Sequence, residues 1–357
     1  MMAPAMLPSS TGPAAAPKPA PPPPPPPPNR FRRDPRLAPL YDREIAPVWT
    51  QPFGRLLLQQ VAPLGKATIL DVMCHTGYPG LELLRRFPEA RVFAVDPSSA
   101  LLEVARKKAG AHANRRIYFK TEPSEPRLPY DEGAFDLVIS NLGLHDVAQP
   151  RLLLREMARV AKPGAQVLCT LPLRGTFAEF YTLLEALCED RVKNADNAGD
   201  AGAAARLRAH LATWPEASAV LGWAAEAGLV ELELLCAPFS LLIAGGADLF
   251  FAPVFEYGPL TAWKTILGGA GPQMQKGFAE LKDAIDRICR GEGKSARTGR
   301  PEHASLRALP FSLTVRAACL RARRPLPYGP SEPGPAAPGT DAAATGSPAS
   351  GRPQVAK

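Results

Sequence analysis

Asp71 and Asp96 each close an apolar run, TILDV over 68–72 and RVFAVD over 91–96, and the first run passes into a turn of mostly small residues, MCHTGYPG over 73–80. An apolar strand that enters a helix through such a turn presents backbone N–H groups to a ligand. An acid ending the next strand, here 19 residues beyond Gly77, is placed to accept bonds from both hydroxyls of a ribose. The spacing reads as a nucleotide-type site with Asp96 as its marker.

The elements that must position these acids follow from hydrophobic periodicity. Strands are expected at Thr68–Val72, Arg91–Val95, Arg116–Phe119, Phe135–Ile139 and Gln166–Thr170, with helices at Gly80–Arg86, Ser99–Lys108 and Pro150–Val160 between them. Upstream, LYDREIAPVWTQPFGRLLLQQVAP reads as one or two helices. Short apolar strands alternating with amphipathic helices predict an α/β, Rossmann-like fold: a mostly parallel sheet with helices on both faces and ligands beyond the strands' carboxyl ends. Further on, a helix over Phe177–Cys188, an Ala-rich stretch to Ala227 with Leu207, Leu211 and Trp214 on one face, a strand Val230–Cys236 and a final strand Phe311–Cys319 are expected. The intervening stretch, about 240–308, has helical periodicity, as in Phe278, Leu281, Ile285 and Ile288, and is expected to form a cap over the site. No internal repeat is visible.

Composition bounds the class. A chain of 357 residues with 46% hydrophobic content buries an enzyme-sized core. Residues 1–36, with the unbroken run Pro21–Pro28, and residues 325–357 lack the large apolar side chains of a core and are expected to be disordered, leaving a domain over 37–324. The net charge of +8 divides as +4 over 1–60, −2 over 61–290 and +6 over 291–357, so the basic groups sit near the ends and argue against nucleic-acid binding. The six cysteines have no zinc-type or redox spacing, which fits a reduced, cytoplasmic chain and no metal. The start has neither a charged leader nor a proline-free apolar stretch, and no apolar run approaches the ~20 residues of a membrane span. Neither export nor membrane insertion is expected, and the oligomeric state is not readable.

Four stretches in this order, TILDVMCHTGY, RVFAVDPSSALLEVARKKA, LPYDEGAFDLVISNLGLHDV and LLLREMARVAKPGAQVLCT, resemble the class I S-adenosylmethionine-dependent methyltransferases acting on small molecules and lipids. The resemblance covers about Tyr41 to Leu173, and the late helical insertion also looks like the malonyl-carrier-protein methyltransferases. It implies S-adenosylmethionine as cofactor and a small-molecule acceptor. The family's acid-x-Gly-x-Gly-x-Gly pattern falls on Asp71, Met73, His75 and Gly77, so two of three glycines are replaced. Those glycines permit unusual dihedrals and let backbone approach the ligand. Met73 and His75 therefore leave three outcomes: side chains turned away, His75 meeting the ligand edge-on, or a shelf that no longer binds.

The resemblance further implies that Asp71 faces the ammonium of the methionine moiety, that Asp96 takes the ribose diol and that Leu101 packs on adenine. Glu122, with Glu125 in reserve, would recognise the adenine amino group. Each has a plainer reading: a tied-down turn, a helix N-terminal acid ahead of Ser98, core packing, and a solvated loop charge. Asn141 and His145 lie where methyl transfer would occur. Asn141 offers a carbonyl and an amide to the cofactor, and His145 either takes a proton from the acceptor or only caps a helix. His112, His210 and His303 read as exposed or helix-packing residues. The aromatics Tyr41, Trp49, Phe250, Phe251, Phe255, Tyr257 and Trp263 read as packing, some of them lining an apolar cavity. Two other functions share these features: a methyltransferase-like module that has lost its cofactor, and a nicotinamide-dependent oxidoreductase, whose glycine fingerprint is met only by Gly77 and Gly80.

Overall fold

Five parallel strands do form the heart of the molecule. The computed structural model describes residues 34–122, 127–193, 202–292 and 309–327. The strands are β1 (Thr68–Val72), β2 (Arg91–Asp96), β3 (Ile117–Thr121), β4 (Phe135–Asn141), β5 (Ala161–Pro172), β6 (Val230–Cys236), β7 (Phe239–Ile243), β8 (Phe311–Val315) and β9 (Ala317–Arg323). Seven of them make one sheet in the order β3-β2-β1-β4-β5-β9-β6, parallel from β3 to β5, with β9 antiparallel to both β5 and β6. Helices Gly80–Arg86 and Pro150–Val160 have the expected bounds, while Ser99–Ala109 runs one residue longer.

Alternation along β1 shows why both faces are covered. Ile69 enters the core shared with Phe53, Leu57 and Leu83, whereas Leu70 and Val72 enter the opposite core with Val138, Leu153 and Met157. A strand buried on both faces reads as a continuous apolar run, which is what TIL and V supply around Asp71.

The late region departs from expectation at two points. The final strand Phe311–Cys319 is divided at Arg316: β8 pairs with β7 in a separate two-stranded sheet, and only β9 returns to the main sheet. The 240–308 insertion begins with β7, which helical periodicity hid, and continues in helices Gly246–Phe251, Pro253–Glu256, Leu260–Ile266 and Pro272–Cys289. Pro272–Cys289 buries Leu281 and Ile285, while Ile288 is exposed. The Ala-rich stretch is two helices, Ala203–Leu211 and Ala217–Glu226. Strand β5 starts five residues earlier than expected: Ala161 already pairs with Phe135, and the strand then passes a register irregularity opposite β4 with Gly164 at φ +77°.

Residues 34–36, assigned above to the tail, form a turn in which the Asp34 carboxylate accepts from Arg36 N–H. Short helical turns continue over 35–45, and a helix follows at Thr50–Gln60. The proline run, Glu125, His303 and the tail beyond 327 lie outside the described residues.

Trp263 holds the cap to the main body. It is fully buried, its ring centroid is 4.1 Å from that of Phe180, it stacks on Phe255, and its indole N–H donates to the Tyr181 hydroxyl at 3.2 Å. Trp263→Ala is expected to destabilise the protein by about 3–5 kcal/mol, read from the midpoint of urea unfolding at constant m-value.

Candidate functional site

The loop after β1 keeps the shape that its missing glycines would have allowed. Met73 and His75 have φ of +61° and +50°, and Gly77 has +93°. This left-handed region costs a side-chain-bearing residue roughly 1–2 kcal/mol. The Asp96 carboxylate, at the end of β2, accepts from His75 N–H at 3.1 Å and from Ser98 N–H at 2.9 Å, while Ser98 Oγ caps the following helix by accepting from Leu101 N–H. Asp96 thus stands ahead of the following helix, as its helix N-terminal reading has it, and also accepts from the loop after β1.

Asp71 faces the same loop. Its Oδ2 accepts from Gly80 N–H at 3.2 Å, and a Cβ on Gly80 would lie 2.5 Å from that oxygen, so only glycine lets the helix start this close. Its Oδ1 is buried with no hydrogen-bond partner among the described residues. Burial pushes the Asp71 carboxyl up to about 8; the neighbouring Asp96 charge adds to the rise and the Gly80 N–H opposes it. Burial with one oxygen unsatisfied disfavours the charged form of this carboxyl.

The two replaced glycines differ in what their side chains do. Met73 is turned into the core with Val72, Leu144 and Val147 and lies against Gly143, where a Cβ would come within 2.9 Å of it. His75 instead stays at the loop: Nε2 is 2.8 Å from Asp146 Oδ2, and Tyr41 stacks on the imidazole at 5.5 Å and 5°. Tyr41 belongs to the 35–45 turns, which pack with Ile45 and Ala46 over Leu101 and are tied down by Lys108 on Asp42 at 2.6 Å. That segment covers the site, and Asp71, His75 and Asp96 are shut off from solvent.

The β4 tip holds Asn141 and His145. Asn141 Nδ2 donates to Thr50 O at 3.0 Å and Oδ1 accepts from Thr170 Oγ1 at 2.6 Å, so its carboxamide ties the Thr50–Gln60 helix to the sheet. His145 is half-buried and stacks on Trp214 at 5.3 Å. Burial lowers its pKa against the opposing pull of Asp146. Glu122, just beyond β3, is partly exposed and pairs with Lys120 at 2.8 Å.

Sequence reasoning missed the company His145 keeps. His210, set aside above as a packing or exposed residue, lies within electrostatic reach of His145, and burial holds its pKa down at about 4. Its Nε2 is 2.6 Å from the Tyr181 hydroxyl, which also receives the Trp263 indole. Phe177 joins Trp214 to Trp49 and Phe255, giving an aromatic wall beside the β4 tip. An apolar cleft of about 400 Å³ opens on the far side of that wall, lined by Val48, Pro52, Phe239, Leu241, Val254 and Phe255. Another depression, of about 410 Å³ between Glu231, Glu233, Arg321 and Arg323, lies on the β6–β9 edge and takes no part.

Comparisons with known proteins find methyltransferases among the relatives of this chain. A family model described as a methyltransferase domain matches residues 69–164. A demethylmenaquinone methyltransferase of Clavibacter sepedonicus is 30% identical over 177 residues, covering 48% of this chain and 69% of that protein. A malonyl-[acyl-carrier protein] O-methyltransferase of Legionella pneumophila is 34% identical over 134 residues, 38% of this chain and 45% of that protein. Among solved structures, the YcgJ protein of Bacillus subtilis aligns over 77% of this chain and 99% of its own with a TM-score of 0.46 and 14% identity. Against the first relative the chain spans 69% of the length; against others it spans about half, for instance 52% of the Lactococcus lactis demethylmenaquinone methyltransferase.

The residues present fit S-adenosylmethionine: the unsatisfied Asp71 oxygen is suited to an ammonium, and the preserved left-handed backbone keeps the loop shape that the family's glycines serve. The Asp71 proton also has a thermodynamic consequence. Its folded pKa of about 8 exceeds the unfolded value of 3.8, so its stabilising proton is fully held below pH 3.8 and lost as pH rises through 8. Relative to Asp71→Asn, the cofactor-free wild type should lose about 2–3 kcal/mol of unfolding free energy between pH 5 and pH 7, read from urea midpoints at both values.

Proposed function

We propose that this chain, which belongs to the class I S-adenosylmethionine-dependent methyltransferases, methylates a small-molecule or lipid-like acceptor bound between the β4 tip and the cap. The observation that carries the reading is the loop 71–80, where a Cβ-bearing chain holds the left-handed turns of a glycine motif and leaves one buried acid oxygen waiting for a donor. A loop freed from cofactor binding would have no reason to keep two strained residues. That argues against the inactive-module reading.

The cofactor supplies a methyl group already activated on a sulfonium, so placement and exclusion of water are the protein's main tasks. In this proposal Asp96 receives the ribose hydroxyls, Asp71 meets the ammonium, the main chain of Met73 and Gly77 lines the floor, and Leu101 forms an apolar wall for the base. Turns 35–45 cover the site and must lift for entry, since the acids beneath them are sealed. Glu122 and the carboxamide of Asn141 are left out, because each is already engaged elsewhere. His145, whose pKa burial lowers, is the group available to take a proton from the acceptor.

The acceptors in the relatives' names, demethylmenaquinone and malonyl-[acyl-carrier protein], differ from each other. The acceptor class is argued instead from this chain's aromatic wall of Trp49, Phe177 and Trp214 and the apolar cleft beyond it. Such walls bind an apolar body and leave a few polar groups to orient it.

Calorimetric titration with S-adenosylmethionine tests the reading. Saturable binding is expected, accompanied at pH 7 by proton release as Asp71 ionises against the ammonium, seen as a dependence of the heat on buffer ionisation enthalpy. Asp96→Ala should weaken binding by about 10–100-fold, the cost of a pair of charge-assisted hydrogen bonds. Wild-type protein that gives no saturable signal at millimolar ligand would overturn the proposal and favour the interaction module.

A further inference from the structure

His75 occupies a position where glycine serves the motif, yet its imidazole is neither turned away nor loosely held. The residue is 1% exposed, and it sits at φ +50° on the loop whose backbone N–H bonds Asp96. Nε2 faces Asp146 Oδ2 at 2.8 Å. A carboxylate only accepts, so the proton on that side of the ring is on Nε2. Tyr41 lies flat against the ring, and Tyr41 is itself fixed by its hydroxyl on Thr50 Oγ1 at 2.6 Å. The remaining polar atom, Nδ1, is buried with no hydrogen-bond partner among the described residues. A ring held by a carboxylate on one edge and a stacked phenol on one face, with its other nitrogen unsatisfied, has the form of a ligand group awaiting a donor.

We infer that His75 is a cofactor-binding residue in its own right: Nδ1 accepts a hydrogen bond from a ribose hydroxyl, and Asp146 is the positioning residue that fixes the ring's tautomer and orientation. The ribose end is assigned because the main chain of the same residue bonds Asp96, the acid proposed for the diol. This rests on the function proposed above and adds to it a side-chain contact that a glycine at this position cannot make. The strain at His75 thereby acquires a purpose that main-chain binding alone does not give it.

His75→Gly separates this from a bystander role, because glycine is at ease at φ +50° and restores the family pattern. In calorimetric titration of the full chain with S-adenosylhomocysteine, His75→Gly is expected to bind about tenfold more weakly than wild type, the value of one hydrogen bond to a preorganised acceptor. Asp146→Asn, which keeps the shape and removes the fixed acceptor charge, should weaken binding several-fold. Affinity in His75→Gly equal to or greater than wild type overturns the inference. On histidine-labelled wild type, the Nδ1 nitrogen resonance of His75 should move on saturation from that of a free lone pair to that of a hydrogen-bond acceptor. An unmoved resonance in a saturated sample overturns the inference without any substitution. Failure of wild type to bind S-adenosylhomocysteine at all sinks the proposed function itself, a result distinct from either of these.

Discussion

Three left-handed residues within five positions, wedged between two buried carboxylates, are the constraint on which the rest of this structure depends. A right-handed or extended path after β1 would carry the chain away from β2 and leave the Asp96 oxygens without the His75 and Ser98 N–H groups they accept. The turn is closed by Cys74 N–H on Val95 O at 3.0 Å and Gly77 N–H on Cys74 O at 2.8 Å. Parallel pairing of Asp71 with Ala94 then fixes the offset between the two acids. The apolar residues of β1 and β2 supply the burial that holds this strained turn in place.

The loss of two motif glycines is answered by one short element, the turn Gly143–Asp146 that follows β4. Met73 is large where its motif asks for nothing, and Gly143 is empty opposite it; a Cβ there would meet Met73 and, at only 2.1 Å, Ser140 Oγ. His75 is polar where its motif asks for nothing, and Asp146 supplies the charge opposite it. The glycine leaves room for Met73, and the carboxylate partners the His75 imidazole. Packing density in a protein interior leaves no room for an unanswered change of this size.

The sequence was most legible where local pattern and tertiary role coincide. Strand β1, the helices Gly80–Arg86 and Pro150–Val160, and β6 have the bounds read from periodicity, because each is a short apolar run or an amphipathic repeat closed by punctuation residues. Legibility failed where the partner decides. The stretch Phe311–Arg323 changes from alternation in FSLTV to the continuous buried run AACL after Arg316, but no turn residue separates them, so the sequence reads as one strand although its halves join different sheets. The bond of the Asn141 carboxamide to the Thr50–Gln60 helix could not be read from the sequence, because its partner lies 91 residues away. His210 looked idle because its hydrogen-bond partner Tyr181 reaches it only through the fold. The handedness at Met73 and His75 was the least readable feature, since intrinsic preference opposes it and only the surrounding hydrogen bonds and packing select it.

The Gly143–Asp146 turn also divides the molecule's two chemistries. Gly143 and Asp146 face the β1 loop, whereas His145, between them, faces Trp214 and the cap. A four-residue helix entered through a left-handed Leu142 has little stability of its own, so its geometry is set by what packs on either side. On one side that is the buried Met73 and the clamped imidazole of His75, and on the other the aromatic wall reaching to Tyr181 and Trp263. The position of His145 is therefore fixed jointly by the nucleotide-type loop and by the cap. A change in either half is felt by the histidine between them.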